Sequence, residues 1–116
     1  MELTNTNVRY LLTIYHLSQA RLEVSSKDIA QTLDVSRASV TSMMSILTDK
    51  RLVTKERYGK IALTERGTVL ARRQEDYVRS LARQLPALGL DLTDQEAEEA
   101  ALALAAVLPP RCRGGL

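Results

Sequence analysis

The stretch from Ser25 to Thr64 constrains this chain more than any other part of it. Ile29, Ala30 and Leu33 recur at helical spacing, and Ser25 or Ser26 before them can cap a short helix over residues 26–33. Leu33-Asp34-Val35 reads as a tight turn. Ser36 is the next N-cap and opens a helix over residues 37–50, with Val40, Met43 or Met44, and Leu47 facing inward. Two short strands follow, over residues 52–57 and 60–64. Tyr58-Gly59 supplies the turn between them, because glycine takes positive φ without cost. Two helices across a tight turn, closed by a small basic hairpin, make a winged helix-turn-helix.

The flanks are helical too. Val8, Leu11, Leu12, Ile14 and Tyr15 predict a first helix over residues 6–19. Thr64 caps a long fourth helix over residues 65–84, and Pro86 and Gly89 break the chain after it. Thr93 and Glu96 have capping-box spacing and open a last helix that runs to about Leu108, ended by Pro109-Pro110. With no Trp and no Phe, the core must come from Leu, Ile, Val, Ala and Met, helped by four Tyr. That composition favours a mainly α fold. The expected architecture is a three-helix core with a short β-hairpin wing, then a long linker helix and a C-terminal dimerisation helix. The expected division is a winged helix-turn-helix domain over residues 1–64, a helical dimerisation region over 65–108, and a flexible tail over 109–116.

Charge is unevenly spread. Residues 1–85 hold 14 Lys/Arg against 9 Asp/Glu, and residues 86–116 hold 2 against 5. A basic body attracts phosphate, although an excess of this size is also ordinary for a protein surface. No apolar run is long enough for a membrane span, and the N-terminus lacks a secretory pattern, so a cytoplasmic location is expected. The single cysteine, Cys112, excludes an intrachain disulfide. No phosphate loop, Cys/His pair or activated nucleophile appears, so the chain is not read as an enzyme. Cys112 lies between two arginines, where its pKa can fall; an incidental thiol is the plainer reading, a redox switch the sharper one.

The second helix of a helix-turn-helix needs small polar or basic side chains outward. Here that set is Ser36, Arg37, Ala38, Ser39, Thr41, Ser42 and Ser45. Small hydroxyls permit close approach, Ala38 can touch a thymine methyl, and Arg37 can pair with phosphate or guanine. The plainer alternative is a solvated Ser-rich face. Against it, no Asp or Glu occurs from Ser36 through Thr48. Lys55, Arg57 and Lys60 surround the wing turn, where they can grip a nucleic-acid backbone or simply protect a strand edge. Double-stranded DNA is therefore the expected partner.

Residues 7–67 resemble the diphtheria-toxin-repressor and manganese-transport-regulator (DtxR/MntR) family. The resemblance rests on Tyr10-Leu-Leu-Thr-Ile-Tyr15-His-Leu, Asp28-Ile-Ala, Val35-Ser-Arg-Ala-Ser-Val-Thr-Ser-Met, Leu52-Val and Tyr58-Gly-Lys-Ile-Ala-Leu-Thr-Glu-Arg-Gly67. It implies a dimeric transcriptional repressor activated by Mn(II) or Fe(II). It also implies that Arg37, Ser39, Thr41, Lys55, Arg57 and Lys60 meet phosphate, while Ser36, Ala38 and Ser42 lie nearest the bases. The family's metal-ligand positions fall on Arg9, Leu12, Val78 and the run Ala100–Ala106, which offer no donors suited to such ions. No metal site and no cofactor are expected, and DNA binding should not need a divalent ion. Arg9 is instead expected to stand in for the ion by pairing with Glu75 or Asp76. The lone His16 reads as a surface or packing residue. The acidic clusters Glu75-Asp76 and Glu96/Glu98/Glu99 read as solvated faces. The last helix, through Leu102, Leu104, Ala105 and Leu108, is expected to pair with the first or fourth helix of a second copy, the alternative being that it caps its own domain. Two further readings stay open: a metal-responsive repressor with a non-standard site, and a winged-helix interaction module that does not touch DNA.

Overall fold

The computed structural model describes residues 3–113. Local capping sets most of the element boundaries. Helix α1 (Asn5–Ala20) begins at Thr4, whose hydroxyl accepts the Asn7 backbone N–H while the Asn7 side-chain oxygen Oδ1 accepts the Thr4 N–H. It starts a residue before the apolar spacing predicted, because this reciprocal cap and not the periodicity sets the first turn. Helix α2 (Ser26–Leu33) opens on the same device, with Ser25 and Asp28 capping each other. It ends at Asp34, which takes the left-handed conformation at φ 54°. Helix α3 (Arg37–Asp49) is capped by the Ser36 hydroxyl, which accepts the Ser39 N–H at 3.0 Å.

The wing is shorter than its sequence suggests. Strands β1 (Val53–Lys55) and β2 (Ile61–Leu63) pair antiparallel, with Val53 opposite Leu63 and Lys55 opposite Ile61. Leu52, expected in the first strand, is buried in the core instead. A 3-10 turn over Arg57–Gly59 takes up the tip, with both Tyr58 and Gly59 at positive φ. Val24 adds a bridge to Ile61, whose N–H donates to the Val24 carbonyl at 2.8 Å.

Helix α4 (Glu65–Gln84) matches its expected span, and a 3-10 turn over Leu85–Leu88 with Gly89 in the left-handed region reverses the chain. Helix α5 (Asp94–Val107) is opened by the Thr93–Glu96 capping box. Among the described residues the architecture is thus mainly α, five α-helices and a two-stranded wing.

The core lies where α1, α2, α3 and the wing meet: Leu11, Ile14, Ile29, Val40, Leu47 and Leu52 are fully enclosed. Each such side chain contributes about 1.5–3 kcal/mol on burial. Met44 takes the core position and Met43 the edge, resolving the ambiguity between them in favour of the residue aligned with Val40 and Leu47. Tyr10 belongs to this core and Tyr15 packs on it, whereas Tyr58 is fully exposed at the wing tip and contributes nothing to it. Helix α5 buries a stripe of small residues, Ala97, Ala101 and Ala105, within its own chain. Among the described residues no helix is long and apolar enough to cross a membrane.

The chain after Pro109, expected as a flexible tail, is folded as far as Arg113. Pro110–Arg113 form a 3-10 turn, and the buried Arg113 guanidinium donates to the Leu3 carbonyl and to the Asn5 side chain. Residues 114–116 of that expected tail lie outside the described residues.

Candidate nucleic-acid interface

Helix α3 buries Val40, Met44 and Leu47 and thereby turns its other face outward. Ser36, Arg37, Ala38, Ser39, Thr41, Ser42 and Ser45 are all exposed. The first turn is held rigidly: the Ser36 hydroxyl accepts the Ser39 N–H and lies 2.9 Å from the Ser39 hydroxyl. The free N–H groups of that turn give it positive partial charge, which Arg37 reinforces. The helix's one acid, Asp49, sits at the far end.

The Leu52 N–H donates to the Leu47 carbonyl at 2.9 Å, so α3 runs directly into β1. On the wing Lys55 and Arg57 are exposed and Lys60 is half-buried. The exposed Glu56 between them, not weighed in the sequence reading, lowers the positive charge of the hairpin. Tyr58, which the sequence places only in the turn, stands out at the wing tip. A fully exposed aromatic at φ 62°, held beside Arg57 and Gly59, has no structural reason to be large and apolar. Its only sequence signal was a bulky residue in a turn that glycine alone would satisfy.

A second region of interest lies between α1, α4 and α5, where Arg9, Leu12 and Gln74 line a cavity of about 580 Å³. His16 joins α1 to α4 here: its Nε2 is 2.7 Å from Glu75 Oε2, and Arg79 donates to the other Glu75 oxygen at 2.6 Å. This corrects two expectations. Glu75 is not a merely solvated charge. Nor is it the partner of Arg9, since none of the ion pairs among the described residues involves Arg9. His16, seven residues and about two helical turns beyond Arg9 on α1, reaches the carboxylate instead.

The divalent ion implied by the family resemblance does not fit the side chains present. Arg9 and Leu12, two of the positions that the resemblance assigns to ligands, line this cavity, and an arginine cannot give up its proton to become one. Among the described residues no group of three or more His, Cys, Asp or Glu side chains is arranged to hold a metal. Cys112 is an exposed free thiol.

The last helix is placed between its two expected roles. Ala105 is buried against its own chain and Leu104 and Leu108 are half-buried, while Leu102 is half exposed and Val107 largely exposed.

No curated protein sequence matches the chain. Solved structures do. The manganese regulator SloR is 30% identical, with a TM-score of 0.70, over 89% of this chain and 47% of its own. A hypothetical protein from Sulfolobus solfataricus is 25% identical, with a TM-score of 0.70, over 96% of this chain and 84% of its own. Lactococcus lactis ZitR, solved in complex with DNA, shares the fold at 24% identity and a TM-score of 0.63, over 92% of this chain and 74% of its own. The chain thus spans about half the length of SloR. The family described as the iron dependent repressor, N-terminal DNA binding domain, matches residues 2–61, more than half of the sequence and the whole of α1, α2, α3 and β1. On that match, and on a winged-helix architecture shared across nearly the full chain, the protein belongs to the iron-dependent-repressor family.

Proposed function

We propose that this chain is a transcriptional regulator, of repressor type, that binds double-stranded operator DNA as a homodimer in the cytoplasm and does so without a divalent metal. The observation that carries the reading is the exposed face of α3, small and hydroxyl-rich with a single cation, and free of acid from Ser36 through Thr48. Its membership of a family defined by a DNA-binding domain supports the same reading.

In this reading α3 enters the major groove by its first turn. Arg37, Ser39 and Thr41 meet phosphate, as do Lys55, Arg57 and Lys60 from the wing, and Ser36, Ala38 and Ser42 lie nearest the base edges. Ser36 already spends one lone pair on its cap, so a base contact uses the other. Residues 1–64 form the reading head and residues 65–108 the pairing region. The exposed Leu102 and Val107 favour pairing through α5. A two-fold dimer would place two reading heads on half-sites about one helical turn or a multiple apart.

The test is DNA affinity by fluorescence anisotropy on fragments selected from a genomic library. Arg37→Ala and Lys55→Ala should weaken binding, and Lys55→Ala should flatten the salt dependence by about one charge. Affinity unchanged in both variants refutes the assignment of these surfaces. Chelation, or added Mn(II) or Fe(II), should shift affinity by less than about tenfold; a larger shift restores a metal-responsive reading. Sedimentation at tens of micromolar, of order, should give a dimer, and a monomeric mass refutes the pairing.

A further inference from the structure

We propose that the cavity between α1, α4 and α5 is a binding site for a compact organic acid that carries one N–H or O–H donor. The site is separate from the DNA-reading face and its occupancy does not depend on that reading.

Three observations converge on this chemistry. The cavity's volume, about 580 Å³, is that of a small-molecule pocket. Its walls are largely aliphatic: Leu12 from α1, Leu33 from the end of α2, and Leu102 and Ala103 from α5. His16 and Glu99 share the walls, but the described residues hold no group of three or more His, Cys, Asp or Glu arranged to hold a metal, so the space suits an apolar body better than a metal ion.

The second observation is Gln74. This residue of α4 lines the cavity and is 5% exposed, yet its Oε1 has no hydrogen-bond partner among the described residues. An amide carbonyl shut away from water with no donor is costly, and native proteins keep few of them. The terminal amide turns about a soft torsion, so it can present Oε1 to a guest. A guest with an N–H or O–H group supplies the missing donor; one without it leaves the carbonyl unpaired.

The third is Arg9. It lines the same cavity from α1 and is exposed, and none of the ion pairs among the described residues involves it. Of the other charged groups lining or bordering the cavity, His16 and Arg79 share the Glu75 carboxylate, while Glu99 accepts from the neutral amide of Gln95 and keeps its negative charge. Arg9 therefore presents a guanidinium suited to a carboxylate. Because Leu33 closes α2 just before the Asp34 turn that sets α3, an occupant touches the helix that positions the reading helix.

Indole-3-acetate and 1-naphthaleneacetate separate these contributions. The two are nearly the same size and carry the same acid, but only the indole has an N–H. Binding to the full chain is measured by calorimetry and located by amide NMR shifts, without DNA. The wild type should prefer the indole by about tenfold or more, with shifts at Leu12, Leu33, Leu102 and Ala103. Gln74→Leu, which replaces an unsatisfied amide with an apolar group of similar size and should fold, should erase that preference. Arg9→Gln should weaken both acids, and Ala103→Phe, which fills the space, should abolish both. Indole-3-ethylamine, the cationic counterpart, should bind more weakly than the acid. The proposal is overturned if neither acid binds at millimolar concentration, of order. It is equally overturned if the indole preference survives Gln74→Leu, if the amine binds as well as the acid, or if the shifts map elsewhere.

Discussion

Replacing Gly67 with alanine should destabilise the fold sharply, although alanine is the better helix former. Gly67 is the third residue of α4 and buried. A Cβ built there falls 2.0 Å from the Leu52 carbonyl oxygen and 3.0 Å from its carbon, where ordinary contact begins at 3.4 Å. Neither side can give easily. The Leu52 carbonyl accepts the Thr64 N–H at 3.0 Å, and the Thr64 hydroxyl donates to the Arg51 carbonyl at 2.8 Å while accepting the Gly67 N–H at 3.0 Å. Opening the gap pulls α4 off the end of α3 and breaks this set. Alanine regains about 1 kcal/mol of helix propensity. Against that stand overpacking, about 1–3 kcal/mol and more against backbone, and two or three strained hydrogen bonds at about 1 kcal/mol each. The net loss is about 2–5 kcal/mol, or a fall in Tm of about 8–20 °C for a chain of this size. Gly59→Ala is the control. A Cβ there meets nothing, so only its φ of +75° opposes the change, at a cost of about 1 kcal/mol. Far-UV circular dichroism melts give both values. A Gly67→Ala Tm at or above that of Gly59→Ala would refute the close seat of α4 on Leu52.

Asn5→Ala should loosen the end of α5, because the Asn5 amide donates to the carbonyls of Ala106 and Leu108 at 3.0 and 2.8 Å; the loss is about 1–3 kcal/mol, seen as faster amide exchange in residues 104–113. Ser36→Ala should cost about 1 kcal/mol of stability as a lost cap and should also weaken DNA binding, whereas loss of stability alone would remove Ser36 from the reading face. Acid stability should depend on Asp28, whose carboxyl the Ser25 backbone N–H holds below its usual 3.8, with the Ser25 hydroxyl and Arg21 adding to this and burial opposing it. A lowered folded-state value means that the contribution is complete above the usual value and lost as pH falls through the folded one. Asp28→Asn should therefore lose stability at neutral pH and narrow its gap from wild type as the pH falls below 3.8 and through the lowered folded-state value, and a gap that stays constant on acidification would refute the role.

The helix starts were legible in the sequence because capping is local. Ser25, Ser36, Thr64 and Thr93 each bond an N–H three residues on, so spacing located Ser36, Thr64 and Thr93 and narrowed the remaining cap to Ser25 or Ser26. Thr4 obeys the same rule, but with asparagine in place of the usual Glu or Gln at the reciprocal position, and its signal was missed. The outward set of α3 was equally legible, since Val40, Met44 and Leu47 fix one face and so define the other. What tertiary structure decided involves partners distant in sequence. Leu52 leaves the strand because the core takes it, and Gly67 must be glycine because α4 starts against the Leu52 carbonyl. Glu75 serves His16, 59 residues away, instead of Arg9. Arg113 folds the C-terminal turn onto Leu3 and Asn5, which no pattern in a polar tail announces. The cavity around Gln74 belongs to this class as well. Periodicity specifies which face of each helix is apolar, but whether three such faces close on one another or leave space between them depends on how the helices cross.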